Sequence, residues 1–106
     1  MKVIWSDFAS ETLKEIYKYF KENASESVAR KIKTNIFLAT KRLIKHPYSG
    51  QVEKTLEQLG EGHRYLVEGN YKIVYKKVSN GVLIADIFDT RQDPIKIVDE
   101  ERNREK

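Results

Sequence analysis

The apolar positions of this chain follow two different periods, one on either side of a short linker. Up to about residue 46 they recur every three or four residues, and beyond residue 61 they alternate. The first part opens on Lys2-Val3-Ile4-Trp5, a run of β-formers that predicts a short strand. Ser6 or Asp7 follows, and either can cap a helix with a side-chain oxygen. From position 8 to about 23, Ala9, Leu13, Ile16, Tyr17 and Phe20 share one helical face, while Glu11, Lys14, Glu15, Lys18 and Glu22 share the other. Ser25 can cap a second helix, with Val28, Ala29, Ile32, Ile36, Ala39 and Leu43 as a narrow stripe suited to packing along a neighbouring helix. Arg30, Lys31, Lys33, Lys41 and Arg42 hold its other positions. Pro47 stops it, because the residue before a proline is pushed out of the α region. A short polar turn joins the two helices as an antiparallel hairpin.

Residues 47–61 form a linker containing Pro47, Gly50 and Gly60, with room for a short turn around Leu56 and Leu59. Segments 64–67, 71–78 and 82–90 then read as an antiparallel meander. Turn length decides which side chains share a face, since a slip of one residue reverses a strand. Polarity favours a three-residue loop Glu68-Gly69-Asn70, which sets Val67 opposite Tyr71 and sends Tyr65, Val67, Tyr71, Ile73 and Tyr75 inward. A two-residue Gly69-Asn70 loop would instead put Lys72 beside Val67 and Tyr65. A three-residue Ser79-Asn80-Gly81 loop likewise turns Leu83, Ala85 and Ile87 inward and Asp86 and Phe88 outward. The expected fold is α+β: a short N-terminal strand, an antiparallel helix hairpin, then a three-stranded meander forming a curved sheet packed on the helices. One domain spans 1–97, followed by a charged C-terminal tail at 98–106.

Composition narrows the options. A chain of 106 residues has room for one domain, and 40% hydrophobic content argues against disorder. The absence of cysteine excludes a disulfide framework, a thiol nucleophile and a cysteine zinc site. No apolar run approaches the ~20 residues of a membrane helix, and the N-terminus lacks a signal-peptide stretch, so a cytoplasmic location is expected. The net charge of +4 favours an anionic partner, whether nucleic acid or an acidic protein segment. A soluble surface with a small lysine excess explains the same number.

Candidate chemistry gathers on the outward face of the predicted sheet. Arg64, Lys72, Lys76, Asp86 and Phe88 belong there, with His63, Asp89 and Arg91 near strand ends. A cationic hollow containing an aromatic ring can hold phosphate and stack a base. An exposed face kept polar against edge pairing accounts for the same residues. His46 fits a helix end, while His63 is the better acid–base candidate. The histidines stand 17 positions apart with no clustered carboxylates, so neither a metal nor a cofactor is expected. Asp89-Thr90-Arg91-Gln92-Asp93-Pro94 is either a hydrogen-bonded turn lock or a rim that presents Arg91.

The order of these elements resembles the RelE/ParE toxin superfamily, whose members are also called plasmid-stabilisation proteins. Trp5, Ala9, Leu13, Ile16 and Tyr19 match its first helix region, and Ala29, Ile32, Leu43, Pro47 and Gly50 its second helix and exit. His63-Arg64-Tyr65-Leu66 and Tyr71-Lys72-Ile73-Val74-Tyr75 match its tyrosine-rich strand pair, and Ile87-Phe88-Asp89-Thr90-Arg91-Gln92-Asp93-Pro94 the end of its last strand. The resemblance covers about residues 2–97 and implies a toxin blocked by a cognate antitoxin, in a toxin–antitoxin hetero-oligomer. RelE-like members cleave mRNA on the ribosome without a metal, whereas ParE-like members poison DNA gyrase. In the nuclease case Arg64, Lys72 and Arg91 would hold phosphate, with His63 or Asp89 supplying proton transfer. Lys76, Asp86, Phe88 and Asp89 would complete the binding surface. Two departures oppose that case: Leu66 stands where the nuclease pattern has Lys, and no Tyr follows Arg91. The resemblance therefore leans to the ParE side, with a non-toxic, degenerate member as a further alternative.

Overall fold

A computed structural model describes residues 2–90. Arg91, the turn that follows it and the charged tail expected at 98–106 lie outside the described residues. The chain runs β1 (Lys2–Trp5), α1 (Asp7–Asn23), α2 (Glu26–Lys41), a 3₁₀ turn (Arg42–Ile44), β2 (Gln51–Val52), a 3₁₀ segment (Lys54–Leu59), β3 (Arg64–Glu68), β4 (Tyr71–Val78) and β5 (Gly81–Asp89). The strands form one sheet in the order β1-β5-β4-β3-β2. β1 pairs parallel to β5, and the remaining neighbours are antiparallel.

Local chemistry starts both helices as expected. Ser6 accepts a hydrogen bond from the Ala9 N–H at 3.0 Å, and Ser25 accepts one from the Val28 N–H at 3.1 Å. Of the two candidates for the first cap, Ser6 takes the role; its hydroxyl also donates to the Ala85 carbonyl at 3.2 Å, tying α1 to β5. The helices lie on one face of the sheet. There Ala9, Leu13, Ile36, Ala39 and Leu43 pack on Tyr71, Ile73, Tyr75, Val82, Ile84 and Ile87. Ile16, Phe20 and Ile32 join from the hairpin as expected. Val28, read as part of the stripe, is exposed, because it sits in the first turn of α2 beyond the reach of the sheet.

Both turns of the meander differ from the expected lengths. Glu68 pairs with Tyr71, so the first loop is the two-residue Gly69-Asn70, with Gly69 at φ 59°. Val78 pairs with Gly81, so the second is Ser79-Asn80. Gly81 is thereby a strand residue, and it must be glycine: a Cβ there would collide with the Lys2 carbonyl oxygen of β1. The shorter first loop reverses β3 relative to the expectation. Tyr65 and Val67 face away from the helices, and Arg64 and Leu66 turn toward them.

β5 changes phase midway. Its register with β4 shifts between Val74 and Tyr75, which face Asp86 and Ile84 respectively, and leaves Ala85 as an extra residue. Val82 and Ile84 are therefore inward before the bulge and Ile87 after it. Leu83 and Ala85, expected in the core, lie on the front with Lys76 and His63. Asp86 and Phe88 are on the front as expected, registered with Val74 and Lys72.

Candidate functional site

The front of the sheet, opposite the helices, is covered rather than open. Segment 51–62 folds back across it, anchored by β2 on β3, by the Glu53 N–H donating to the His63 carbonyl at 2.9 Å, and by the buried Leu56. Glu53, His63, Val74 and Asp86 are all buried. The expectation of a basic, largely unburied front is overturned because the linker brings carboxylates onto the cations.

Lys72 shows the consequence most directly. Its ammonium lies 2.6 Å from Glu53 Oε2, 4.0 Å from the Tyr65 ring centroid and 5.5 Å from that of Phe88. The other carboxylate oxygen of Glu53 accepts from the Thr55 N–H and, at 2.8 Å, from the Thr55 hydroxyl, which starts the 3₁₀ segment. Lys76 is ion-paired with Glu61. Hydrogen bonding to Lys76, then its charge, holds the Glu61 carboxyl below its ordinary pKa. His63, next to this pair, has its pKa lowered chiefly by burial and then by the charge of Lys76, with Glu61 and Glu53 opposing. Its Nδ1 is buried and has no hydrogen-bond partner among the described residues. A cavity of about 240 Å³ lies here, lined by residues including Ser6, Leu56, Glu61, His63, Lys76 and Leu83.

Arg64 belongs to a different place. It registers with Tyr75, whereas Lys72 registers with Val67, so the two cations are on opposite faces of the sheet. The Arg64 guanidinium donates to the Gly50 carbonyl at 2.8 Å and to the Tyr48 carbonyl at 3.4 Å, and lies over the Tyr48 ring. Gly50 also donates its N–H to the Tyr75 hydroxyl at 2.8 Å. These bonds fix the linker after Pro47, so Arg64 locks a loop.

The remaining candidates do not converge on one spot either. Asp89 registers with Tyr71 and faces the helix side, while His63 adjoins Lys76 on the front. At ~3.4 Å per residue, the five positions from Tyr71 to Lys76 separate Asp89 and His63 by roughly 17 Å along the sheet. Asp86 accepts from the Ile87 N–H at 2.7 Å. Phe88 lies beside Lys72, as the sequence suggested. Among the described residues no group of three or more His, Cys, Asp or Glu could hold a metal ion, and no helix is long and apolar enough to cross a membrane.

Sequence reasoning passed over Glu53, Glu61 and Tyr48. A signal for the carboxylates was present: Glu53, Glu57 and Glu61 recur in a linker that precedes a lysine-rich strand. A second feature lies between the helices, a groove of about 420 Å³ lined by Trp5, Ser10, Leu13, Lys14, Tyr17, Lys33 and Phe37. Trp5 meets Phe37 edge-on at 5.3 Å, and the Lys33 ammonium lies 5.4 Å and 5.9 Å from the Tyr17 and Phe37 ring centroids. An apolar trough with a cation on its rim suits an amphipathic segment of a partner.

A five-stranded sheet backed by a helix hairpin defines a small α+β domain. Residues 3–94 match the family model described as the ParE toxin of the parDE type II toxin–antitoxin system, and the chain belongs to that family. Among solved structures, a chain titled as the chromosomal ParDE toxin–antitoxin system from P. aeruginosa has the same fold, with a TM-score of 0.68 at 18% identity. That match covers 84% of this chain and 95% of the other. No curated protein matches the sequence.

Proposed function

We propose that this protein is the toxin of a type II toxin–antitoxin pair that acts in the cytoplasm by binding DNA gyrase and inhibiting it. The observation that carries the reading, beside the family, is the fate of the front and rim cations among the described residues, Arg91 lying outside them. Lys72 and Lys76 are matched by Glu53 and Glu61, and Arg64 is committed to a loop on the other face. In-line attack on a phosphodiester needs a base, an acid and charge stabilisation within reach of one phosphorus atom. His63 and Asp89 stand too far apart to serve together, which supports contact inhibition over ribosome-dependent mRNA cleavage.

A cognate antitoxin keeps the toxin silent in a hetero-oligomer, with an amphipathic segment seated between the helices against Trp5, Tyr17 and Phe37. A supercoiling assay with purified gyrase tests the main reading. Supercoiling is expected to fall with added toxin and to recover when the antitoxin is present. Undiminished supercoiling at saturating toxin refutes it, and new cleavage sites by primer extension on translated mRNA would establish the nuclease alternative.

A further inference from the structure

The cationic excess of this protein is carried by one helix. Between Glu26 and His46 the chain has six Lys or Arg residues and one Glu, a net +5 against +4 for the whole molecule. Everything outside α2 and its 3₁₀ extension is therefore close to neutral. Within the segment, Arg30 pairs with Glu26 at 3.0 Å, Arg42 lies 3.6 Å from Glu68, and Lys33 overlies the groove rings. Lys31, Lys41 and Lys45 are exposed and have no ion-pair partner among the described residues.

These three lysines share a line. Positions 31, 34, 38 and 41 repeat at helical spacing on the side of α2 opposite its buried residues Ala29, Ile36, Ala39 and Thr40, and Lys45 follows directly after the 3₁₀ turn that extends the helix. At 1.5 Å per residue the stripe from Lys31 to Lys45 is ~21 Å long. Leu38 is its one large apolar residue, 54% exposed. Protein–protein interfaces are depleted in lysine and are built around aromatic and apolar anchors. A line of unpaired lysines fits instead the regular charge of a phosphodiester backbone, one negative charge per ~1.7 Å of duplex.

We propose that the outer face of α2 binds the phosphate backbone of duplex DNA through Lys31, Lys41 and Lys45, independently of sequence. The face borders the groove assigned to the antitoxin, with Lys41 one turn beyond Phe37, and owes nothing to the sheet. In the gyrase reading, it anchors the toxin to the DNA on which its target works. DNA binding by the toxin alone and inhibition of supercoiling are separate measurements, so either can fail without the other.

The test is fluorescence polarisation of a labelled, random-sequence duplex titrated with the purified protein from 50 to 200 mM salt. Neutralising three phosphates gives a log–log slope of about −2.7 and weakens binding about 40-fold over that range. The triple variant K31Q/K41Q/K45Q, changed only at exposed positions and checked for an unaltered thermal melt, loses the binding and flattens the slope. The α1 variant K18Q/K21Q keeps both. A salt slope near zero for the unaltered protein overturns the proposal whatever the variants do, and so does an equal loss in the α1 variant. Binding of a polyglutamate peptide without binding of duplex also overturns it and makes the stripe a face for an acidic protein.

Discussion

Lys72 and Glu53 meet at 2.6 Å on the front of the sheet, with side chains 17% and 3% exposed. Their partnership spans the distance between a linker and a strand, and it is asymmetric. Lys72 retains some contact with water and two aromatic rings, while Glu53 is sealed. Removing one member of a buried pair strands the other, at a cost of about 3–5 kcal/mol for full burial.

Lys72→Met should accordingly destabilise the fold by about 3 kcal/mol, because the carboxylate left behind cannot reach water. Glu53→Gln should cost less, about 1–2 kcal/mol, since the ammonium can rehydrate. The double variant should be more stable than the sum of the singles implies. Urea unfolding of the four proteins measures this cycle, and strict additivity would mean the pair is not coupled.

His63 makes the fold sensitive to mild acid. Its folded-state pKa is lowered by burial and by Lys76. The unfolded chain therefore binds a proton that the native state refuses, and stability present above pH ~6.5 is lost as pH falls below that value. Glu61, lowered by Lys76, acts in the same direction but only below the ordinary carboxylate range, so the two windows are distinct. Unfolding free energies measured between pH 7.5 and 5 should decline for the natural chain and decline less for His63→Gln. Parallel curves would show that His63 is not the group responsible.

Two glycines admit neighbouring chain where any side chain would collide. A Cβ on Gly50 would lie 2.5 Å from both the Tyr65 carbonyl oxygen and the Tyr75 hydroxyl, and one on Gly81 would strike β1. Gly81→Ala should detach β1 and lower stability by more than about 3 kcal/mol, with loss of hydrogen-exchange protection at the Ser6 N–H, which donates to Ile84 in the native fold. Gly50→Ala should cost about 2 kcal/mol. Tyr75→Phe, which removes only the bond from the Gly50 N–H, should cost about 1 kcal/mol.

The groove between the helices should account for antitoxin affinity. Phe37 is 37% exposed and stacks edge-on with Trp5, as an anchor residue would. Phe37→Ala should weaken antitoxin binding by about 2 kcal/mol, roughly 30-fold, while changing stability little. Calorimetric titration with the cognate antitoxin measures the loss; unchanged affinity would move the binding site elsewhere.

The linear pattern of residues determined the architecture. Strand, helix hairpin and meander were legible because period, caps and Pro47 are local signals, and the inward residues Ala9, Leu13, Ile36, Ile73 and Tyr75 followed from them. What the sequence left open was the register of each pairing. One residue more or less in the Gly69-Asn70 turn decided that Arg64 and Lys72 stand on opposite faces, and the bulge at Ala85 decided which half of β5 faces in. The linker was equally undetermined: the recurrence of Glu53, Glu57 and Glu61 marks an acidic stretch but names no partner, and in the folded chain Glu53 and Glu61 pair with Lys72 and Lys76. Local propensities are set by near neighbours, so they can be read along the chain. Side choice and charge pairing depend on contacts between segments far apart in sequence, and only the assembled tertiary structure brings those together.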